Sequence, residues 1–321
     1  MWLGYRFCAA IALTASVLTG LAATATAETL RVGKAVPQAF SFVPLDIAIR
    51  KGFFANYGIE IEMSAFAGDA RMQQAMASDS LDIALGSGPA MAFIVKGSPV
   101  LAIAVLGNAP LLLTLVVRPD DSVKTVADLR GRRVSVSTVG SLTYWLVSET
   151  SRQQGWGPEG IHIAPMGATQ PQIAALKRHD TDGMVTDIST ALTLEKNREA
   201  KILTRFGHLV KDFHIHVIFA RDKLIAQKPE ALRAFLKAWF ETIAFMRANK
   251  SETVNIAMEV LGKDAEITTR TYDELMPMFS DNGRFSAAAL DVLAKSYVEL
   301  KILPQAPDAQ KLYTEAFLPA K

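Results

Sequence analysis

Short runs of apolar and β-branched residues alternate along the chain with stretches whose apolar positions recur at i, i+3 and i+4, and small or hydroxylated residues separate them. The first pattern reads as buried strand and the second as amphipathic helix. Strands are expected over residues 29–36, 59–66, 81–85 and 100–106. A helix is expected over 42–51, where Gly52 suits a left-handed C-terminal cap, and another after Gly68-Asp69-Ala70, with Met72, Ala75 and Met76 on one face. Gly86-Ser87-Gly88-Pro89 is a turn with proline near a helix start. This strand-helix alternation predicts a mostly parallel sheet covered by helices on both faces.

Two longer β-like runs, 111–118 and 214–221, each end in arginine. Between them lies a second α/β set: strands over 133–136, 161–164 and 183–186, and helices over 142–153 and 172–178. We read the long runs as crossings between two lobes. Lobe 1 is then discontinuous, residues 28–110 and 222–321, and lobe 2 is 111–221 with a crossing strand at each end. A length of 321 residues, more than one ordinary domain needs, agrees with two lobes. From 229 onward the pattern is helical, and Leu232, Phe235, Leu236, Phe240, Ile243 and Met246 form a core-facing stripe.

Ligands of open α/β sheets sit where strand carboxyl ends meet helix N-termini. That rule selects the strand-to-helix turns: Gln38, Phe40 and Ser41 after the first strand, Asp69 after the second, and Ser87 and Gly88 after the third. In the other lobe it selects Thr138, Gly140, Ser141, Thr169 and Asp187, with Asn108 at a crossing and His216 on a crossing strand. The stretch from Arg132 to Leu146 carries the strongest signal, because strand, hydroxylated turn and helix follow one another there, and unpaired N–H groups at a helix start suit an anionic or polar ligand. Structural readings stand beside these. Ser141, Asp69 and Asp187 also fit as helix caps, Gly88 and Gly140 as backbone requirements, and Phe40 and Phe42 as core. His214 and His216 share a strand face, but with no carboxylate or third histidine nearby in sequence a metal site is not indicated.

The first 27 residues differ from the rest: Arg6 is their only charge, 7–21 is nearly unbroken apolar sequence, and Ala25-Thr26-Ala27 is a small-x-small cleavage site. This predicts a cleavable secretory leader; an uncleaved anchor is the other reading, disfavoured because the apolar core is shorter than the ~20 residues of a spanning helix. Cys8, the only cysteine, lies in the leader without the small apolar residues that precede a lipid-modified cysteine, so the exported chain is expected to hold no thiol, no disulfide and no lipid anchor. Losing Arg6 takes the formal net charge from +2 to +1 with no long basic run, which does not favour nucleic acid. No nucleophile elbow, Walker loop, dinucleotide fingerprint or zinc-protease motif occurs, so neither an enzyme nor a cofactor is expected.

The segment 45–62, with Gly52-Phe53-Phe54 and Gly58-Ile59-Glu60-Ile61-Glu62, resembles the opening of periplasmic substrate-binding proteins of the nitrate/sulfonate/taurine ABC-transporter group, which also covers thiamine-pyrimidine binders. Asp82-Ile83-Ala84, Asp128-Leu129-Arg130-Gly131-Arg132-Arg133-Val134, Gly140-Ser141, and Ala174-Ala175-Leu176 with Asp182-Gly183 resemble further motifs of that group. The resemblance implies a type II two-lobe periplasmic binding protein, most naturally a monomer. Its lobes would close on a small-molecule ligand, and it would then dock on an ABC permease driven by an ATPase. It also leaves open a ligand-presenting sensor, or an enzyme of the thiamine-pyrimidine synthase type; the latter relies on a cysteine-rich motif that the exported chain lacks. Where many members carry a serine-like residue and a Glu-Pro pair, this chain has Asp69 and Asp187-Ile188. Two carboxylates in a partly dry cleft disfavour a bare inorganic anion and favour a small organic solute with an amine, ring N–H or hydroxyl donor.

Overall fold

The structure is a computed structural model that describes residues 1, 27–66, 68–139 and 141–320. The expected leader, including Cys8, lies outside the described residues except for Met1 and Ala27, and Gly140 lies outside them too. The chain opens with β1 (Glu28–Lys34), one 3-10 turn over Phe40–Phe42, and α1 (Val43–Lys51), which Gly52 ends at φ 72° as its missing Cβ allows. Then come β2 (Ile59–Ala65), α2 (Asp69–Ala77), β3 (Ile83–Ser87), a short α3 (Ala92–Val95) and β4 (Val100–Asn108). The second set runs β5 (Leu113–Val117), β6 (Arg133–Val136), α4 (Leu142–Gln153), β7 (His162–Pro165), α5 (Thr169–Lys177), β8 (Gly183–Asp187), α6 (Ile188–Lys196), β9 (Lys201–Arg205) and α7 (Phe206–Leu209). The chain continues through β10 (His214–Arg221), α8 (Asp222–Gln227), α9 (Pro229–Ala248), α10 (Lys250–Leu261), α11 (Ala265–Leu275) and α12 (Ala287–Glu299).

Two five-stranded sheets result, ordered β2-β1-β3-β10-β4 and β7-β6-β8-β5-β9. They share one plan. In each, three strands pair parallel, and a fourth strand lies beyond one that arrives from the other half of the chain and runs antiparallel to both its neighbours. Each sheet is mixed and flanked by helices, an α/β two-lobe architecture.

The sequence reading put both crossing strands in lobe 2. The structure corrects this for 214–221: β10 is hydrogen-bonded between β3 and β4 of the first sheet, with Ile218 opposite Leu85 on one side and Ala104 on the other. All eight β10 residues are buried, so the strand needs partners on both edges and a covered surface on both faces, which a central position supplies. The two connections between sheets therefore run before β5 and before β10, and the second does not lie at Arg221-Asp222. They touch, with the Ala109 N–H donating to the Phe213 carbonyl at 2.7 Å.

The expected stripe of α9 packs as anticipated: Leu232, Phe235, Leu236, Ile243 and Met246 are buried and Phe240 is half-buried. Phe235 stacks on Phe54, ring centroids 5.0 Å apart. The C-terminal helices then reach the second sheet's helices. Arg270 pairs with Glu195 at 2.8 Å, and Glu299 of α12 receives both the Trp145 indole N–H and Arg152, each at 2.7 Å.

Candidate functional site

The carboxyl ends of both sheets face one cleft with two adjoining chambers. The larger, about 750 Å³, is lined from the first lobe by Asp69, Ser87, Phe93, Lys96, Ile215 and His216, and from the second by Leu112, Leu113, Ser137, Thr138, Ser141 and Thr143. The smaller, about 200 Å³, is lined by Gln38, Phe40 and Ser41 after β1, by Asp187 and Ser189 at the start of α6, and by Thr271 and Leu275 of α11. Val36 and Leu112 line both.

Each chamber owes its polar groups to local chain chemistry. Ser141 is the N-cap of α4: its Oγ accepts from the Tyr144 N–H at 3.2 Å and donates to the Thr138 carbonyl at 2.8 Å. Its oxygen also lies 2.9 Å from that of Thr143, whose hydroxyl in turn accepts from the Ser137 N–H at 3.1 Å. These hydroxyls form a closed set that organises the turn. Asp187 caps α6 with one carboxylate oxygen, Oδ1, which accepts from the Ser189 hydroxyl at 2.6 Å and the Thr190 N–H at 3.0 Å.

Asp69 is different, because it begins α2 without capping it. Its carboxylate spans to the β3 turn, accepting the Ser87 N–H at 3.0 Å and the Ser87 hydroxyl at 2.8 Å. Burial pushes its carboxyl up from the usual range, against the lowering effect of the two Ser87 hydrogen bonds. Asp69 thus braces one first-lobe turn to another while lining the larger chamber. Burial also holds His216 neutral, with a pKa lowered to about 3; its edge meets Phe42 at 4.9 Å, and its Nδ1 has no hydrogen-bond partner among the described residues.

Three expected site residues line neither chamber. Gly88 is held by close approach: a Cβ there would sit 1.8 Å from the His214 carbonyl oxygen. Asn108 serves His214. The Ser286 N–H donates to His214 Nε2 at 2.9 Å, so Nδ1 carries the proton and donates to Asn108 Oδ1 at 2.8 Å. Thr169 stands at the start of α5 and is not among the residues lining either chamber. Gln38, Phe40, Ser41, Asp69, Ser87, Thr138, Ser141, Asp187 and His216 are brought to the cleft.

Sequence reasoning missed Lys96, Thr143, Ser189 and Thr271. Thr143 and Ser189 follow turns already singled out, and their proximity was a usable signal. Thr271 had none, since a threonine on the buried face of a late helix looks like core. Yet the Ser41 and Thr271 hydroxyls, in residues each 1% exposed, have no hydrogen-bond partner among the described residues, and both residues line the smaller chamber.

Two α/β lobes of common plan, joined by two adjacent linkers with a cleft between them, define the periplasmic-binding-protein fold. The family model described as "NMT1/THI5 like" matches residues 39–253, and the chain belongs to that family. The structure of the periplasmic aliphatic sulphonate binding protein SsuA from Escherichia coli is similar, with a TM-score of 0.77 at 17% identity over 89% of this chain and 92% of that one. A Candida albicans gene product described as having the generic periplasmic binding protein fold gives 0.73 at 18% identity, over 91% and 98%. The desulfurization enzyme DszB in complex with biphenyl-2-sulfinic acid gives 0.65 at 16% identity, over 91% and 97%. No curated protein sequence matches.

Proposed function

We propose that this protein is the periplasmic solute-binding component of an ABC importer. It captures a small organic solute in the interlobe cleft as the lobes close about the two linkers, then delivers it as a monomer to a membrane permease and its ATPase. One observation carries the reading. Both lobes contribute side chains to a shared two-chambered cleft, and two buried hydroxyls in its lining residues, those of Ser41 and Thr271, lack partners among the described residues, a shortfall that a bound molecule removes. The likeness to solved periplasmic binding proteins and the secretory pattern of the first 27 residues support the periplasmic setting.

Binding without turnover is supported by the chemistry of the cleft. A desulfurization enzyme has the same fold, so the fold does not decide the matter. The hydroxyls of Ser137, Ser141 and Thr143 are hydrogen-bonded to one another and to backbone, with no histidine in the set. Burial holds His216 neutral, and its Nδ1 has no carboxylate partner among the described residues to orient it as a base.

The test is to express the full chain with export and purify it from the periplasm. Native mass spectrometry should find a small molecule carried through purification. Released by denaturation and returned to stripped protein, that molecule should reduce the radius of gyration in small-angle scattering and be recovered chemically unchanged. Product in excess of protein would replace the binding reading with catalysis, and a chain retained in the cytoplasm would reject import.

A further inference from the structure

We infer that the smaller chamber recognises a cationic nitrogen, an ammonium or amidinium, on a ligand whose apolar body occupies the larger chamber. This rests on the solute-binding reading above and names the ligand class that the same cleft takes.

The charge balance of the smaller chamber comes first. Asp187 lines it, and among the described residues no lysine, arginine or histidine does. Its Oδ1 is committed to Ser189 and Thr190, while its Oδ2 accepts no hydrogen bond among the described residues. A half-buried carboxylate with an unused oxygen, facing a narrow chamber without a counter-charge, repels an anion and attracts a donor that carries positive charge. None of the described residues that line the chamber carries such a donor, so the ligand supplies it.

The polar lining agrees. An ammonium has three N–H donors and no acceptor. Among the described residues the chamber is lined by Asp187, whose Oδ2 is unengaged, by the Gln38 amide, and by Ser41 and Thr271, whose hydroxyl oxygens are buried in its wall without a partner. An amidinium places its donors in a fork that suits the carboxylate and one hydroxyl. A sulfonate or carboxylate head would satisfy the two hydroxyls but bring like charge against Asp187, and charge is what separates the classes.

The larger chamber suits the remainder of such a molecule. Phe93, Leu112, Leu113, Leu142 and Ile215 give it apolar walls, and its hydroxyls are largely committed within their turn. Its one strongly basic side chain is Lys96, which is exposed and lies at the rim near the Phe93 ring. Val36 and Leu112 line both chambers, so a ring or chain passing between them connects head to body.

The experiment uses the exported full chain, stripped of any carried molecule, and four probes of common size in millimolar excess: benzylamine, benzamidine, benzoate and benzenesulfonate. Melting temperature and calorimetry are read on the native protein, Asp187→Asn, Ser41→Ala and Thr271→Val. Asparagine keeps the α6 cap, so Asp187→Asn should fold. The expected result is that benzylamine or benzamidine binds and the two anions do not, that Asp187→Asn weakens the cation about ten- to a hundredfold, and that each hydroxyl variant weakens it severalfold. Ser41→Ala and Thr271→Val should melt no lower than the native protein without probe, because each removes a buried hydroxyl that had no partner; a merely structural role would lower melting instead. Anions that bind the native protein, and bind Asp187→Asn more tightly, overturn the cation assignment while leaving the solute-binding reading intact. A native protein stabilised by none of the four, and carrying no molecule through purification, fails on both.

Discussion

The two lobes share a strand order but bury different chemistry. The first lobe encloses titratable groups: Lys34 is paired with Asp46 at 3.0 Å, Asp69 is braced to Ser87, and His214 and His216 lie on a fully buried strand. The second lobe, from β5 to α7, buries hydroxyls and an amide, among them Thr114, Ser135, Thr150, Ser151, Gln172 and Thr186, and its histidines at 162, 179 and 208 are exposed. A plan of strands therefore constrains which positions are interior without fixing what chemistry fills them. The buried histidines of the first lobe are where the comparison is most easily tested.

The largest effect is expected at the buried ion pair. Asp46→Ala leaves the Lys34 ammonium, 4% exposed, without its countercharge. The loss should be about 3–5 kcal/mol of unfolding free energy in chemical denaturation, whereas replacing both partners by apolar residues of similar volume should cost far less. If Asp46→Ala falls within 1 kcal/mol of native at the ~1 kcal/mol scale of ordinary substitutions, the contrast between lobes loses its strongest member.

The acid response comes next. Burial lowers His214 to about 4 and His216 to about 3, from an ordinary value of 6.5. In the window between, the unfolded chain binds protons that the folded chain excludes, so stability is present above about pH 6.5 and is lost as pH falls toward 4 and then 3. Denaturation midpoints measured across that range should fall by a few kcal/mol equivalent, and His216→Leu should flatten part of the slope. A slope unchanged by His216→Leu would assign the response elsewhere.

Asp69 gives a smaller effect of opposite pH sign. Its folded carboxyl titrates above the usual value because of burial, so its contribution is present at low pH and lost as pH rises through the raised value. Asp69→Ala strands two Ser87 donors and should cost about 1–3 kcal/mol. Asp69→Asn keeps an acceptor for the backbone N–H and should hold native stability near neutrality while removing the pH dependence. A similar loss in both variants would show that charge, not the hydrogen-bonded brace, matters there.

The least effect belongs to the second lobe's cap. Ser141→Ala removes the hydroxyl that caps α4 and should cost about 1 kcal/mol of stability. Ligand affinity should barely change, since that hydroxyl is already committed to Thr138 and Tyr144. A large loss of affinity with little loss of stability would move Ser141 from scaffold to ligand contact.

Local pattern was enough to reveal the alternating strands and helices, the α9 core stripe, the Gly52 cap and the turns that converge on the cleft. Each depends on interactions within a few residues, where periodicity and capping chemistry are written directly. Asp187 and Ser41 were legible for the same reason, as polar residues at strand-to-helix turns. Asp69 was legible as a candidate, but its engagement with Ser87 was not, because that pairing joins the start of one helix to the end of the next strand. The β9 edge strand, 201–205, left too short a pattern to stand out from loop.

What the sequence by itself determined was the order and character of the elements, since those follow from side-chain spacing and from backbone groups that must pair locally. Only the tertiary structure decided that β10 joins the first sheet, that Thr271 of a late helix lines one chamber with Ser41 and Asp187 of distant turns, and that the turns divide into two chambers of different size. Those outcomes turn on which buried surfaces cover one another. The eight buried residues of β10 need partners on both sides, and the free energy of long-range packing alone selects them.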